Sequence, residues 1–151
     1  MTATTNRRLT WLWVRRRVII GTSVALLTGA LAWVLPPHVL GQIVKHYPET
    51  TWQWLGDGVW NFQPAASIPI CVLIGFIYGL LVPKYWFLSF LATWWVFPLN
   101  FLLDVAQFPT SHNLWPFELF MFAIFNVPTL GAAWLGKRLS RWHRPQQRGV
   151  M

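Results

Sequence analysis

Four apolar stretches, each 15 to 22 residues long, dominate a chain of only 151 residues. The hydrocarbon core of a bilayer is about 30 Å thick, and a helix of roughly 20 apolar residues crosses it. Charged residues make up 11% of the chain, whereas an ordinary soluble domain has roughly 25%. The chain lacks the polar surface that a soluble enzyme, a disordered tail or a secreted disulfide scaffold needs. We therefore predict an all-α integral membrane protein with four transmembrane helices.

The borders of the predicted helices follow from proline and charge. Pro36 and Pro37 are expected to end the first helix, because proline cannot continue the backbone ladder. Only Pro83 and Lys84 separate the second apolar stretch from the third. A single helix over 68–103 would be about 54 Å long, so we predict a hairpin at this point. The transmembrane domain is placed at 18–136, with spans at 18–35, 68–82, 85–103 and 115–136.

Basic residues sort to one side of this arrangement. With both termini in the cytoplasm, eleven of the twelve basic residues lie inside, as the positive-inside rule requires, and Lys45 alone lies outside. The four acidic residues fall at or near the outer side: Glu49, Asp57, Asp104 and Glu118. Residues 1–17 and 137–151 become basic cytoplasmic tails. The net charge of +8 is thus interpreted as a topology signal that also attracts anionic lipid, and no nucleic-acid partner is expected.

The first span also has features of a cleaved signal peptide. Arg15 to Arg17 precede it, and Ala30-Leu31-Ala32 offers a cleavage site. Its apolar run of 18 residues exceeds the usual 7–15 of a signal core, which favours a retained helix. Both alternatives leave the later spans unchanged.

Residues 36–67 form the one sizeable loop. Apolar residues between Val39 and Tyr47 repeat at helical spacing, which predicts a short interfacial amphipathic helix ended by Pro48. Gly56-Asp57-Gly58 is interpreted as a turn within a tryptophan-rich interfacial belt. The alternative for this loop is a lid or docking surface above the helices.

Polar residues near the spans are the candidate functional residues, because polar groups within a bilayer are costly. Asn100 and Asp104 share one face of the third helix, and Glu118 lies in the first turn of the fourth. Asp104 and Glu118 are catalytic candidates as a carboxylate pair, and His112 would complete a proton relay or weak metal site with them. Asn126 is a polar residue in mid-membrane. The structural alternatives are water-exposed loop edges and helix capping.

The topology and the large first outer loop resemble those of lipoprotein signal peptidases, which have four helices and an outer aspartate pair. The resemblance rests on Asn100-Phe101-Leu102-Leu103-Asp104-Val105 and Phe125-Asn126-Val127-Pro128-Thr129. The family has arginine after its first aspartate, where this chain has Val105. It has a second aspartate after the Phe-Asn fragment, where this chain has none. The peptidase activity is therefore not carried over.

Small residues at four-residue spacing predict close helix packing. Gly75 and Gly79 form a Gly-x-x-x-Gly motif, and two further pairs are Ala25 with Gly29 and Ala132 with Gly136. These residues serve either packing within the bundle or contact with another chain. Pro98 and Pro128 are expected to kink the third and fourth helices.

No pattern in the sequence specifies a reaction or a cofactor. Cys71 is the single cysteine, which excludes an intrachain disulfide, and no metal or other cofactor is predicted. The favoured function is a non-catalytic accessory or assembly subunit of a larger membrane complex. The alternatives are an oligomeric transporter or small-ligand-binding component, and an intramembrane hydrolase using the carboxylate pair. The expected partners are the lipid bilayer and other membrane subunits or further copies of the chain, in a bacterial inner membrane.

Overall fold

The computed structural model describes the backbone of residues 3–45, 52–107 and 115–142, and the side chains of 13–45, 52–106 and 116–142. The described residues form helices joined by short turns, with no β-strand among them. The elements are α1 (Ala3–Val39), α2 (Gln53–Trp60), α3 (Pro64–Leu81), a 3-10 turn (Pro83–Tyr85), α4 (Leu88–Trp94), α5 (Val96–Gln107) and α6 (Trp115–Trp142).

The prediction of four membrane-length helices is confirmed for the described part of the chain. The segments long and apolar enough to cross a bilayer are Trp13–Val39, Pro64–Leu81, Leu88–Ala106 and Pro116–Trp142. The third of them consists of α4 and α5 together, and the predicted hairpin turn is the 3-10 turn at Pro83–Tyr85. The helices are long enough to cross a bilayer because the length of each apolar run determines how far its helix extends.

The expected end of the first helix at Leu35 is wrong. α1 continues through Pro36 and Pro37 to Val39, and both prolines are buried. Proline removes an N–H donor but has a helical φ, and the Pro36 carbonyl still accepts a hydrogen bond from the Leu40 N–H at 2.9 Å. The chain leaves the helix at Gly41, whose φ of 64° lies in the left-handed region that glycine tolerates.

The helices also extend into the segments expected to be tails. α1 begins at Ala3 and so includes most of residues 1–17, and α6 continues past Gly136 to Trp142. Helix propagates readily from an anchored apolar segment, because each added residue gains a hydrogen bond. Residues 143–151 lie outside the described residues.

The helix in the first loop is not where the amphipathic pattern predicted it. Residues 42–45 are not helical, and 46–51 lie outside the described residues. The loop helix is α2, and it includes Gly56-Asp57-Gly58, which had been interpreted as a turn. A Cβ on Gly58 would lie 2.9 Å from the Val34 carbonyl oxygen and 3.1 Å from His38 Nε2, so glycine allows α2 to approach α1 closely.

The third span is interrupted at Trp95, between α4 and α5. Pro98 cannot donate a hydrogen bond to the carbonyl of Trp94, four residues earlier, which accounts for the break. At the same break, the indole N–H of Trp95 donates a hydrogen bond to the Leu26 carbonyl of α1 at 3.0 Å. Pro128, by contrast, lies within the uninterrupted helix α6.

The closest packing in the bundle joins α3 to α6. Cβ atoms added to Gly75 and Gly79 would overlap the carbonyl oxygens of Thr129 and Ala133, and one on Gly136 would overlap that of Phe76. The contacts advance in the same direction along both helices, so α3 and α6 are parallel. Absence of side chains at these glycines lets the two backbones touch.

The remaining small-residue pairs differ in their use. Gly29 of α1 lies against Ala92 and Thr93, with a built Cβ only 2.7 Å from the Ala92 carbonyl oxygen. Ala25 is buried with Tyr78 and Val82. Ala132 is only half-buried, and its neighbour Ala133 is the residue that meets Gly79.

Charge divides the bundle into two ends. At one end, which we call the basic end, Gly21 of α1 lies beside Val82, and the Lys137 ammonium lies 4.8 Å above the Trp86 ring. The side chains described at this end include Arg15, Arg16, Arg17, Lys84, Lys137, Arg138 and Arg141. The opposite end, which we call the acidic end, includes Asp57, Asp104 and Glu118 together with Lys45.

Candidate functional site

A small cavity at the acidic end contains the predicted carboxylate pair. Asp104 is near the end of α5, and Glu118 is in the first turn of α6. Both side chains line one cavity of about 80 Å³, which α2 closes on the remaining side. We call it the acidic-end pocket; its lining residues are Val59, Trp60, Phe97, Asn100, Phe101, Asp104, Glu118, Leu119 and Phe122.

The polar residues of this pocket are well shielded. Asn100 and Asp104 have exposed fractions of 6% and 7%, and Glu118 is half-buried. The four-residue spacing of Asn100 and Asp104 places both on the same face of α5, as the sequence indicated. Oδ1 of Asn100 is buried and has no hydrogen-bond partner. A buried acceptor without a partner is uncommon and calls for an explanation.

Aromatic rings form the inner wall of the pocket. Phe97 and Phe122 stack with their ring centroids 4.1 Å apart, and Phe97 also packs edge-on against Trp33 at 4.9 Å. Phe62 continues the cluster toward α3 with a centroid distance of 5.1 Å to Phe122. These contacts join α1, α5 and α6 into an apolar base beneath the carboxylates.

Helix α2 is held over the pocket by contacts to the end of α1. The His38 ring stacks on Trp54 with centroids 4.9 Å apart, and His38 Nε2 lies 2.9 Å from the Trp54 carbonyl oxygen. The Asn61 side chain forms two hydrogen bonds with the backbone of Val44, at 2.8 and 3.0 Å. These bonds fasten both ends of α2, so Val59 and Trp60 stay in the pocket wall.

The structure brings together only part of the predicted catalytic set. Asp104, Glu118 and Asn100 share a cavity, whereas His112 lies outside the described residues. No group of three His, Cys, Asp or Glu residues within the described ranges could hold a metal ion. Sequence reasoning also gave no weight to Asp57, a buried residue of α2 at the same end, because its flanking glycines suggested an exposed turn.

Asn126 belongs to a different polar cluster, deep in the bundle. Its Nδ2 donates to the Phe90 carbonyl of α4 at 2.9 Å, and its Oδ1 lies 2.9 Å from the Thr129 hydroxyl and 3.0 Å from that of Thr93. Asn126, Thr93 and Thr129 are all almost completely buried. The amide therefore serves to join α4 and α6.

A long apolar groove follows α1 and α3 on the outside of the bundle. It consists of two cavities of about 570 and 460 Å³ that meet at Thr28, and its walls are almost entirely apolar. Arg17 lies at one end of the groove and Leu40 at the other. The sequence did not predict the groove, since Ala25 and Gly29 indicated close packing without showing which face of the first helix stays open.

The sequence and the fold were compared with protein-family models, curated proteins and solved structures, and none matched. The candidate function therefore rests on the geometry of the pocket and the groove.

Proposed function

We propose that the chain is a non-catalytic accessory or assembly subunit that receives a transmembrane helix of another membrane protein in the groove between α1 and α3. The observation that carries this proposal is the length of the groove. From Arg17 to Leu40, α1 extends about 35 Å at 1.5 Å per residue, which matches the roughly 30 Å hydrocarbon core of a bilayer. A helix that crosses the membrane therefore has a continuous surface to lie on.

The floor of the groove suits a helix backbone. Gly21, Ala25 and Thr28 line it from α1, and small residues at such spacing allow two helices to approach closely. The α3 wall presents branched side chains, including Ile74 and Ile77, which fit between the side chains of a neighbour. Helix association in lipid depends on such packing, because lipid tails are as apolar as the helices themselves.

We do not assign the Gly-x-x-x-Gly motif to contact with the partner protein. Gly75 and Gly79 pack against Thr129 and Ala133 within the chain, so they support the bundle itself. The groove replaces the motif as the feature that supports association.

The orientation belongs to the same proposal. The basic end is placed in the cytoplasm and the acidic end outside, since lysine and arginine concentrate on the cytoplasmic side of membrane proteins. Both termini are then cytoplasmic, and a bacterial inner membrane is the proposed location.

The test is photo-crosslinking from α3 in the native membrane. A photoreactive residue is introduced at Ile77, which lines the groove, or at Ile124 of α6, which is equally exposed but does not line the groove. We expect Ile77 to give one defined protein adduct that Ile124 does not give. Equal adducts at both positions, or adducts to lipid alone, would contradict the proposal.

A second variant pair tests the same surface by co-purification. Val24→Trp adds a large ring at an exposed position that lines the groove, whereas Leu27→Trp adds the same ring at an exposed α1 position outside it. Loss of a stoichiometric partner with Val24→Trp and its retention with Leu27→Trp is the expected result.

A ligand-binding or hydrolytic function is the second candidate, because Asp104 and Glu118 line one cavity. A carboxylate pair can share a proton and act in acid–base chemistry. This candidate predicts that Asp104→Asn abolishes function in a complementation assay while the protein still assembles. Full function of that variant would exclude catalysis by the pair. An oligomeric transporter would in addition lose uptake on substitution of Asn100.

A further inference from the structure

We propose that the acidic-end pocket is a binding site for the ammonium group of a small organic amine or of a lipid headgroup. This inference does not depend on the groove, because the pocket is formed by α2, α5 and α6. Three features carry it: the acceptors that line the pocket, its aromatic walls and its size.

The hydrogen-bond acceptors of the pocket are two carboxylates and one amide oxygen. The carboxylate of Glu118 lines the pocket and is half-buried, and Asp104 adds a second carboxylate beside it. Asn100 lines the same pocket, and its buried Oδ1 has no hydrogen-bond partner. An ammonium group is a multiple hydrogen-bond donor, so it complements carboxylates and an amide oxygen together. A small rotation of the Asn100 side chain would bring the unpaired acceptor to the bound ammonium group.

The walls favour an organic cation over a bare metal ion. Four aromatic residues line the pocket, namely Trp60, Phe97, Phe101 and Phe122. The face of an aromatic ring attracts cations, and aromatic cages bind choline and methylated lysine in this way. Calcium takes six to eight oxygen ligands, and the side chains that line the pocket supply at most five oxygens.

The size limits the ligand to a small headgroup. A volume of about 80 Å³ has room for only a few water molecules. A primary ammonium or a methylated ammonium group fits this space, whereas a long polyamine does not. Ethanolamine and choline lipids carry an ammonium group, as free small amines do. The bound group can therefore belong either to a lipid headgroup or to a free amine.

The first experiment measures thermal unfolding of the full-length protein in a neutral detergent by circular dichroism. Methylammonium chloride and tetramethylammonium chloride are the probes, and sodium chloride at equal ionic strength is the control. We expect a saturable rise in Tm with at least one ammonium salt and none with sodium chloride. Equal shifts with all three salts, or no shift with any, would overturn the proposal.

Variants separate binding from folding. Glu118→Gln keeps the shape of the side chain and should weaken the ammonium response about tenfold. Asn100→Leu removes an unpaired acceptor, so it should leave the basal Tm unchanged or raised while it abolishes the response. Phe120→Leu, at an exposed position on α6, is the control and should respond like the parent protein. A normal response from Glu118→Gln and Asn100→Leu would overturn the proposal.

Native mass spectrometry distinguishes the two sources. The protein is exchanged into detergent containing either phosphatidylethanolamine or phosphatidylglycerol. Retention of phosphatidylethanolamine that Glu118→Gln loses would assign a lipid headgroup. A Tm response to methylammonium without lipid retention would assign a free amine. Preference for phosphatidylglycerol, together with no response to the ammonium salts, would contradict the proposal.

Discussion

The hydroxyl oxygen of Thr93 on α4 lies 3.0 Å from Oδ1 of Asn126 on α6, and both residues are almost fully buried. The Asn126 amide nitrogen faces the Phe90 carbonyl, so its oxygen must face the two threonine hydroxyls. Asn126 thus acts as a polar clamp between the two helices. This explains the presence of an asparagine in mid-helix without invoking a transport pathway.

Removal of the clamp should destabilise the bundle. Asn126→Leu is expected to lower the free energy of unfolding by about 1–2 kcal/mol, because buried hydrogen bonds in membrane proteins contribute roughly 0.6 kcal/mol each on average, up to about 1.7. Denaturation with SDS, followed by circular dichroism, measures the change. The double variant with Thr93→Val should be less destabilised than the sum of the single variants. Strict additivity would indicate that the two side chains do not interact.

Gly79 should tolerate no side chain. A Cβ at this position would overlap the Ala133 carbonyl oxygen, which is backbone and cannot swing aside. Gly79→Ala is therefore expected to cost about 1–3 kcal/mol by overpacking. Gly131→Ala is the matched control, since nothing lies within 4 Å of its added Cβ. It should be neutral or stabilising by up to about 1 kcal/mol, because alanine favours helix over glycine. Similar unfolding curves for the two variants would contradict this packing.

The contact between Tyr78 and Thr22 should hold α1 against α3. Their hydroxyl groups share a hydrogen bond of 2.8 Å. Tyr78→Phe is expected to destabilise by about 0.5–1.5 kcal/mol. Because the loss affects the edge of the groove, backbone amides of α1 should exchange hydrogen faster while those of α6 stay protected. Tyr85→Phe, at a half-buried tyrosine in the 3-10 turn, is the control and should leave exchange unchanged. Uniformly faster exchange throughout the bundle would mean that the bond has no local role.

His38 should determine whether α2 stays on the bundle. His38→Ala removes both the stacking on Trp54 and the hydrogen bond to its carbonyl. Amide exchange in Gln53–Trp60 should then rise about tenfold, which corresponds to about 1.4 kcal/mol of local opening. His38→Phe retains the stacking alone and should give an intermediate rate. An unchanged rate in both variants would show that other contacts hold α2.

The apolar helices were predictable because the number of consecutive apolar residues, which decides whether a helix can cross a bilayer, is a local property of the sequence. The run after Lys84 suffices to cross a bilayer, and the run before Pro83 does so because its helix begins as early as Pro64. The structure has its turn between them. The loop helix was not predictable. Gly56 and Gly58 favour a turn locally, but contacts with Val34 and His38 select a helix. Packing of α2 on α1 outweighs the local propensity.

The candidate site was likewise predictable in part from the sequence and in part only from the packing of the helices. The spacing of Asn100 and Asp104 determined that they share a face of one helix, because helical periodicity requires it. Only the packed bundle brings Glu118 and the aromatic rings to that face. The unpaired oxygen of Asn100 likewise has no sequence signature, since it depends on which neighbours surround it.

Four apolar helices, a hairpin at Pro83–Lys84 and opposite charge at the two ends could all be predicted from the order of residues alone. Each of these depends on hydrophobic length, proline chemistry or charge along the chain. The packed bundle, by contrast, was needed to show that α1 passes through Pro36 and Pro37, that Gly79 meets Ala133, and that Asn126 joins α4 to α6. It also shows where the groove and the acidic-end pocket lie. These features depend on contacts between residues far apart in the sequence, where close packing and hydrogen bonding outweigh local preference.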